Sequence, residues 1–274
     1  MPRLLPALSS RAEGAILGLA AGRWLAAGDG PDGELALALI LAEELGAGRV
    51  DLRGVAERWV ERHHSDNRGI GQETAGALSH IARHGAPPRQ GAGRSADPLV
   101  RCIPVALAMF DSPRNLVSGT YHVAALTHPD PAVTWSAVAL NVALARFLQG
   151  KRDFIADVLE VLRNNPVPEE LLGAVRSVPL ERRAELSAAE LSPADAVGCV
   201  RAALWLAYHE PRFERGVRWA AEGGSRRSAL AGAAGALLGA RDGVESLPEP
   251  WTASLTGLES LRHLAAALVR TSPT

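Results

Sequence analysis

The sequence is short of net charge, lysine, cysteine and long apolar runs, and each shortage excludes a class of protein. The formal net charge of the 274-residue chain is −1, so no global electrostatic field draws it to nucleic acid or to an anionic membrane surface. Lys151 is the only lysine. Together with the excess of alanine and glycine, this arginine bias indicates a GC-rich genome rather than a mechanism.

The two cysteines and the apolar segments exclude further classes. Cys102 and Cys199 each lie in an apolar stretch without a metal-type neighbour, which predicts buried free thiols. Residues 14–22 are too short and too glycine-rich for a signal peptide. The longest run of small apolar residues, 229–240, is too short to span a bilayer. We therefore expect a soluble, cytoplasmic protein with neither a membrane nor a nucleic-acid partner.

What the sequence has in abundance is helical periodicity. Residues 35–45 are strong helix formers and nearly apolar all round, which is typical of an interior helix. Asp130 as N-cap and Pro131 at the first position predict a long helix over residues 131–148, ended by Gly150. Further helices are predicted behind Asp51 and at residues 74–84, 98–109 with a kink or start at Pro104, 152–164, 169–178, 180–191, 193–209, 212–221, 230–238 and 258–269.

The same pass along the chain finds no convincing strand, no repeat of fixed period and no long linker. We therefore predict an all-α fold, a multi-helix bundle in a single domain over residues 1–274. In residues 230–238 and just beyond, Gly232, Gly235 and Gly239 are expected to let a neighbouring backbone approach closely.

Four segments lie in a fixed order along most of the chain: residues 11–22, 99–107, 126–131 and 221–240. The second contains Arg101 and Pro104 in an arginine-x-x-proline spacing, and the third reads Leu-Thr-His-Pro-Asp-Pro. In that order they resemble the ADP-ribosylglycohydrolase family. The resemblance implies a helical domain that cleaves a glycosidic bond to ADP-ribose.

The resemblance also implies a cofactor, a pair of Mg²⁺ or Mn²⁺ ions. The family holds them with a Thr/Ser-Asp-Asp-Thr motif before the second helix and a Gly-Gly-Asp-x-Asp-Thr motif near the C-terminus. Such hard cations need several oxygen ligands, and a pair of them needs carboxylates to offset their mutual repulsion.

This sequence departs from the family at those two motifs. Residues 30–33, Gly-Pro-Asp-Gly, lie on the first motif and keep only Asp32. A shift of the register by a residue or two would recruit Asp29 or Glu34 but would not restore the adjacent pair of aspartates. The second motif falls on four residues without a carboxylate, namely Ser225, Arg226, Arg227 and Ser228. Residues 22–26 and 95–97 also differ, with Gly-Arg-Trp-Leu-Ala and Ser-Ala-Asp in place of the family's Gly-Asp-Ala-Leu-Gly and Gly-Asn-Gly. We therefore expect no bound metal ion, with Asp32 as a remnant ligand only.

The two adjacent arginines allow two interpretations. Arg226 and Arg227 would hold a phosphate or carboxylate in a pocket for a nucleotide-like or other anionic ligand. In the alternative, which we favour, one of them pairs with Asp32 and closes the cleft while the other is solvated. Trp24 replaces a small residue of the family and is expected to fill part of the cleft.

Three further residues border the expected cleft. Asp97 and Arg101 are pocket candidates, with a salt bridge or a loop anchor as the alternative role. His128 is a pocket candidate too, although a turn and helix cap is the interpretation that we favour.

The sequence thus predicts a bacterial member of the family without its metal-dependent hydrolase activity. It would act as a binding or regulatory pseudoenzyme, with an anionic ligand or a protein as its partner. Two alternatives stay open: an enzyme with metal-independent chemistry in the same cleft, and residual ADP-ribosyl hydrolase activity.

Overall fold

The computed structural model describes residues 5–30, 32–48, 51–91, 93–181 and 195–270. Across these ranges the regular structure is helical and includes no strand, so the all-α prediction is confirmed. The α-helices are α1 (Leu8–Ala27), α2 (Gly33–Gly46), α3 (Leu52–Ser65), α4 (Gln72–His84), α5 (Asp97–Arg101), α6 (Ile103–Met109), α7 (Pro113–Ala125), α8 (Pro131–Leu148), α9 (Ile155–Arg163), α10 (Glu169–Ser177), α11 (Ala196–His209), α12 (Phe213–Ala221), α13 (Ser228–Asp242), α14 (Glu249–Ala253) and α15 (Leu258–Arg270).

At the centre, α1 and α13 pack backbone against backbone. A Cβ atom added to Gly14 or Gly18 would lie 2.8 Å from the carbonyl carbon of Gly239 or Gly235, closer than real Cβ contacts allow. The glycines therefore cannot be replaced without separating the helices. The predicted close approach at the glycines of α13 is confirmed. This contact holds the C-terminal end of α1, which carries part of the candidate site, in a fixed place.

The second central element is α8, which packs against α6, α7, α9, α11 and α13. Its start follows the prediction: the Asp130 carboxylate accepts the backbone N–H of Ala132 at 2.7 Å, and Pro131 occupies the first turn. Gly150 follows its end in a left-handed conformation, with φ of 78°. α8 is long and apolar enough to cross a membrane, but 89% of it is buried in the protein, as in a core helix.

Several boundaries refine the sequence prediction. The segment with Pro104 is divided into α5 and α6, and Pro104 lies in the first turn of α6, so of the expected kink or helix start it is the start that the structure has. α7 and α14 were not predicted, although Pro113 and Pro250 lie in their first turns. The helix predicted over residues 180–191 falls almost wholly outside the described residues. Cys102 and Cys199 are free and buried as expected, and burial raises the pKa of both thiols to about 12.

Candidate functional site

Asp32, the remnant ligand of the sequence analysis, lies directly before α2. Its Oδ1 caps that helix by accepting the backbone N–H of Leu35 at 3.0 Å. The same carboxylate binds the guanidinium of Arg23 in a bidentate pair, with Nε–Oδ2 at 2.5 Å and Nη2–Oδ1 at 2.6 Å. Both oxygen atoms of the carboxylate therefore accept hydrogen bonds from protein donors.

The sequence analysis expected Arg226 or Arg227 to pair with Asp32. Asp32 binds Arg23, at the end of α1, and the side chain of Arg226 lies outside the described part of the chain. The physical reason for the pairing with Arg23 is the α1–α13 contact, which places the stem of Arg23 over Gly232, where a Cβ would meet Arg23 Cγ at 2.8 Å. The stem runs along α13, and the guanidinium reaches across to the start of α2.

The guanidinium of Arg23 stays protonated although its side chain is only 5% exposed. Burial works against the charged form, but the hydrogen bond to Asp32 and the charges of Asp32, Glu34 and Asp97 outweigh it, and the pKa of Arg23 is raised. Arg23 therefore stays a cation among carboxylates at every pH at which the protein is folded.

A second buried ion pair lies beside the first. Glu34 on α2 and Arg101 at the end of α5 are 2% and 1% exposed, and Arg101 Nη1 donates to Glu34 Oε2. Arg101 Nη1 also donates to Thr74 Oγ1 at 2.9 Å, and Glu34 Oε1 accepts the backbone N–H of Gly71 at 2.9 Å. Burial raises the pKa of Glu34, and the charge of Arg101 opposes that shift. The guanidinium of Arg101 also lies over the Trp59 ring at 5.5 Å.

His128 joins this pair through its two ring nitrogens. Burial, and then the charge of Arg101, lower its pKa to about 3, so the ring is neutral at physiological pH. Nδ1 lies 3.0 Å from Thr127 Oγ1 and 3.5 Å from Arg101 Nη2. Nε2 lies 3.0 Å from Ser95 Oγ and 3.2 Å from Glu73 Oε2. Because arginine only donates and a carboxylate only accepts, we assign the proton to Nε2.

The grouping of Ser95, His128 and Glu73 resembles a catalytic triad, but its geometry differs. In a triad the serine and the acid contact opposite nitrogens of the ring, whereas here both contact Nε2. The Ser95 hydroxyl instead donates to Asp97 Oδ2 at 2.9 Å. His128 therefore does not act as a base toward Ser95.

The predicted site residues fall into two groups. Asp32, Asp97, Arg101 and His128 come together, and so does Glu34, which a shifted register of the first motif would recruit. We call these five residues the polar cluster, together with five that the sequence analysis did not name as site residues: Arg23, Glu73, Thr74, Ser95 and Thr127. Arg227 is buried on the 3₁₀ turn (Gly224–Arg227) that packs against α1, and Ser228 begins α13. The side chains of Ser225 and Arg226 lie outside the described part of the chain. Two further residues of the polar cluster could be found from the sequence. Arg23 lies in the altered segment 22–26, and Glu34 follows Asp32 closely along the chain.

A small cavity of about 260 Å³ opens beside Asp32, with Trp24, Asp29 and Leu39 in its walls. Trp24 is half-buried and donates from Nε1 to Asp29 Oδ1 at 2.6 Å. Pockets for drug-sized ligands typically have about 300–1,000 Å³. The space beside Asp32 is therefore smaller than a ligand of the size of ADP-ribose needs.

The polar cluster does not fit a pair of divalent cations. Both oxygens of Asp32 and both of Glu34 already bind protein donors, and two of those donors are guanidinium groups. Among the described residues, no three His, Cys, Asp or Glu side chains are grouped to hold a metal ion. A dication bound by Asp32 or Glu34 would have to displace Arg23 or Arg101 and leave a buried cation without its partner.

Comparison with known proteins bears on the whole chain. The family model described as ADP-ribosylglycohydrolase matches residues 4–274. A solved structure titled "ADP-ribosylglycohydrolase-related protein complex" is similar, with 26% identity and a TM-score of 0.81, over 97% of this chain and 99% of that one. No curated protein matches the sequence.

Proposed function

Since the chain belongs to the ADP-ribosylglycohydrolase family, we propose that it is a member without metal-dependent hydrolysis, acting as a binding or regulatory protein. The observation that carries the proposal is the bidentate pair of Arg23 and Asp32. It places a fixed guanidinium on the one carboxylate that the first metal motif retains. The proposal includes a single domain and the absence of a metal cofactor.

Energetic considerations support this role for the arginines. Removing one partner from a buried ion pair costs about 3–5 kcal/mol, because the other charge stays uncompensated. The polar cluster contains two such pairs, Arg23–Asp32 and Arg101–Glu34. Binding of metal ions by the same carboxylates would carry such a cost at both pairs, a smaller one at Asp32, which is 18% exposed, so the folded state opposes it.

The charges of the cluster favour a protein over an anion as the partner. Four carboxylates, those of Asp32, Glu34, Glu73 and Asp97, face two guanidinium groups, and His128 is neutral. A nucleotide-like anion would find both cations already paired, next to additional negative charge. We therefore propose a protein partner rather than an anionic ligand.

The test is release of ADP-ribose from peptides modified on arginine or serine, with Mg²⁺ or Mn²⁺ and again with EDTA. We expect no release above the protein-free control under either condition. A titration of ADP-ribose by calorimetry, with and without Mg²⁺, should show no metal-dependent tightening. Release that EDTA abolishes would overturn the proposal.

One observation favours a second candidate, metal-independent chemistry in the same cleft. Ser95 is half-buried, and its hydroxyl donates to Asp97, which is placed to accept the proton. The same assay separates the two candidates. Release that resists EDTA and is lost in Ser95→Ala would support the second candidate, and an inactive wild type would support the first.

A further inference from the structure

A cavity of about 720 Å³ lies away from the polar cluster, between α3, α4 and α7. It is nearly three times the size of the space beside Asp32. Its floor is apolar and includes Leu52, Ala56 and Val60 of α3, together with Ile81 of α4. This concave surface is thus lined mainly by apolar side chains, with Glu57, Glu61 and His122 among its polar ones.

A second cavity of about 330 Å³ continues the first, since both are lined by Leu52 and His122. α7 borders the two in succession, from Asn115 through Gly119 and His122 to Leu126 just past its end. At 1.5 Å per residue this border is about 16 Å long. We call the two cavities together the slot. α7 borders both; α3 lies opposite it in the first, whereas α2, α6 and the start of α3 enclose the second.

The dimensions of the slot match one helix. The apolar row of α3 repeats every four residues, at Leu52, Ala56 and Val60, and so forms a stripe on one face of the helix along the first cavity. An amphipathic helix binds such a groove through anchors at i, i+3 or i+4, and i+7, a span of about 10 Å. Two successive pockets on a border of about 16 Å accommodate those anchors.

The charges along the slot indicate which helix would fit. Asp51, Glu57 and Glu61 lie on the α3 side, and Arg53 there is paired with Glu57 at 2.9 Å. Glu61 is exposed and forms no ion pair with any described residue. The α7 side contributes no carboxylate, lysine or arginine to the lining. The slot therefore has an acidic flank, which is complementary to basic side chains.

We propose that the slot binds one amphipathic helix of a partner protein, with its apolar stripe facing inward and basic residues along Glu57 and Glu61. The inference deepens the proposed function, on which it rests, by giving the protein partner a surface and a chemistry. The partner's helix occupies the space between α3 and α7 and leaves the polar cluster closed.

The probe is a fluorescent amphipathic peptide about five turns long, built from leucine and lysine, with a twin in which glutamate replaces lysine. Fluorescence anisotropy with the full chain should give a dissociation constant on the order of 10 µM for the basic peptide. The acidic twin should bind about tenfold more weakly. Equal binding of the twins, or no binding of either, would overturn the proposal.

Two substitutions locate the binding. Ala82 is exposed on α4 and lines the slot, so Ala82→Arg inserts a long cation without disturbing the core. It should weaken the basic peptide about tenfold, whereas Ala156→Arg, at an exposed alanine of α9, should leave the affinity unchanged. Glu61→Lys should reverse the preference between the twins, and Glu160→Lys on α9 should not. Equal effects of slot and control variants would refute the site.

Other occupants give different results. Light scattering after size exclusion would reveal a dimer, and a dimer lost in Ala82→Arg would show that a second copy fills the slot. Native mass spectrometry of the purified protein would reveal a bound small amphiphile. Either result would overturn the proposal of a partner helix. Failure of these binding tests leaves the hydrolase assay unaffected, so the two proposals fail separately.

Discussion

The polar cluster and the slot differ in both charge and space. The cluster contains two buried arginines and four carboxylates, and its open space is about 260 Å³. The slot has a cavity of about 720 Å³ at its wider end and an apolar floor. Where the family's chemistry would take place, this chain uses its charged groups to bind one another. Where it leaves room, the lining is mainly apolar and its carboxylates lie on the α3 side.

The difference between the two regions follows from desolvation. Buried charges are stable only when they are paired, so a site that loses its metal ions must find other counter-charges or lose its carboxylates. Arg23, in the segment 22–26 where this chain departs from the family, provides such a counter-charge to Asp32. Arg101, which belongs to the arginine-x-x-proline pattern shared with the family, pairs with Glu34. An apolar depression has no such requirement and can stay open until a partner covers it.

The largest expected effect is that of Arg101→Met, which leaves Glu34 buried without its partner. We expect a loss of about 3–5 kcal/mol in the free energy of unfolding, measured by urea denaturation. The double variant Glu34→Leu with Arg101→Met removes both charges and should recover most of that loss. A double variant as unstable as Arg101→Met would show that the ion pair is not what holds the cluster closed.

The next effect is that of Arg23→Asp, which removes the cation and adds a carboxylate beside Asp32. Without metal we expect a loss of about 2–3 kcal/mol, less than for Arg101 because Asp32 is 18% exposed. Thermal unfolding with Mn²⁺ should then show a rise in Tm that the wild type lacks. Arg23→Asn, which removes the cation without adding a ligand, is the control, and an equal Mn²⁺ response in it would refute the reasoning.

A smaller effect concerns pH. The pKa of His128 is lowered to about 3 in the folded protein, so the unfolded chain binds the extra proton between that value and the ordinary pKa of about 6.5. Above about pH 6.5 the ring is neutral in both states, and the contribution of His128 to the free energy of unfolding does not change with pH. As the pH falls below this value, this free energy decreases by up to about 1.4 kcal/mol per pH unit.

Urea denaturation at several pH values between 5 and 7 would measure this slope. His128→Asn should remove the contribution of one proton from it. The matched control is His84→Asn, at an exposed position of α4, which should keep the wild-type slope. A His128→Asn slope equal to that of the wild type would contradict the assignment of a neutral buried ring.

The smallest effect is expected in the slot. Ala82→Arg should change the free energy of unfolding by no more than about 0.5 kcal/mol, because the side chain is exposed and is not part of the core. The same urea titration serves for this measurement. A loss comparable to that of Arg101→Met would mean that the slot is part of the core and not a binding surface.

The sequence predicts those parts of the fold that rest on local chemistry. The start of α8 follows from Asp130 and Pro131, and the close approach of α13 follows from its glycines, because capping and the lack of a Cβ act within a few residues. α7 was missed although Ser112 and Pro113 are start signals, because Gly119 interrupts its periodicity.

The candidate site was less predictable because its contacts join distant segments. The carboxyl group of Asp32 was recognised from the metal motif, but its pairing with Arg23 depends on how α1 lies on α13. Arg101 likewise meets Glu34 and Thr127 from other helices and turns. The altered segments 22–26 and 95–97 indicated where the sequence departs from the family, but spacing along the chain does not indicate which charges will meet.

The most direct test of the account is a calorimetric titration of the wild-type protein with Mn²⁺. If Arg23 and Arg101 occupy the carboxylates, the titration should show no saturable binding and no difference between the wild type and Asp32→Asn. Saturable binding that Asp32→Asn abolishes would show that the metal ion displaces Arg23, and it would contradict the proposed loss of the family's cofactor.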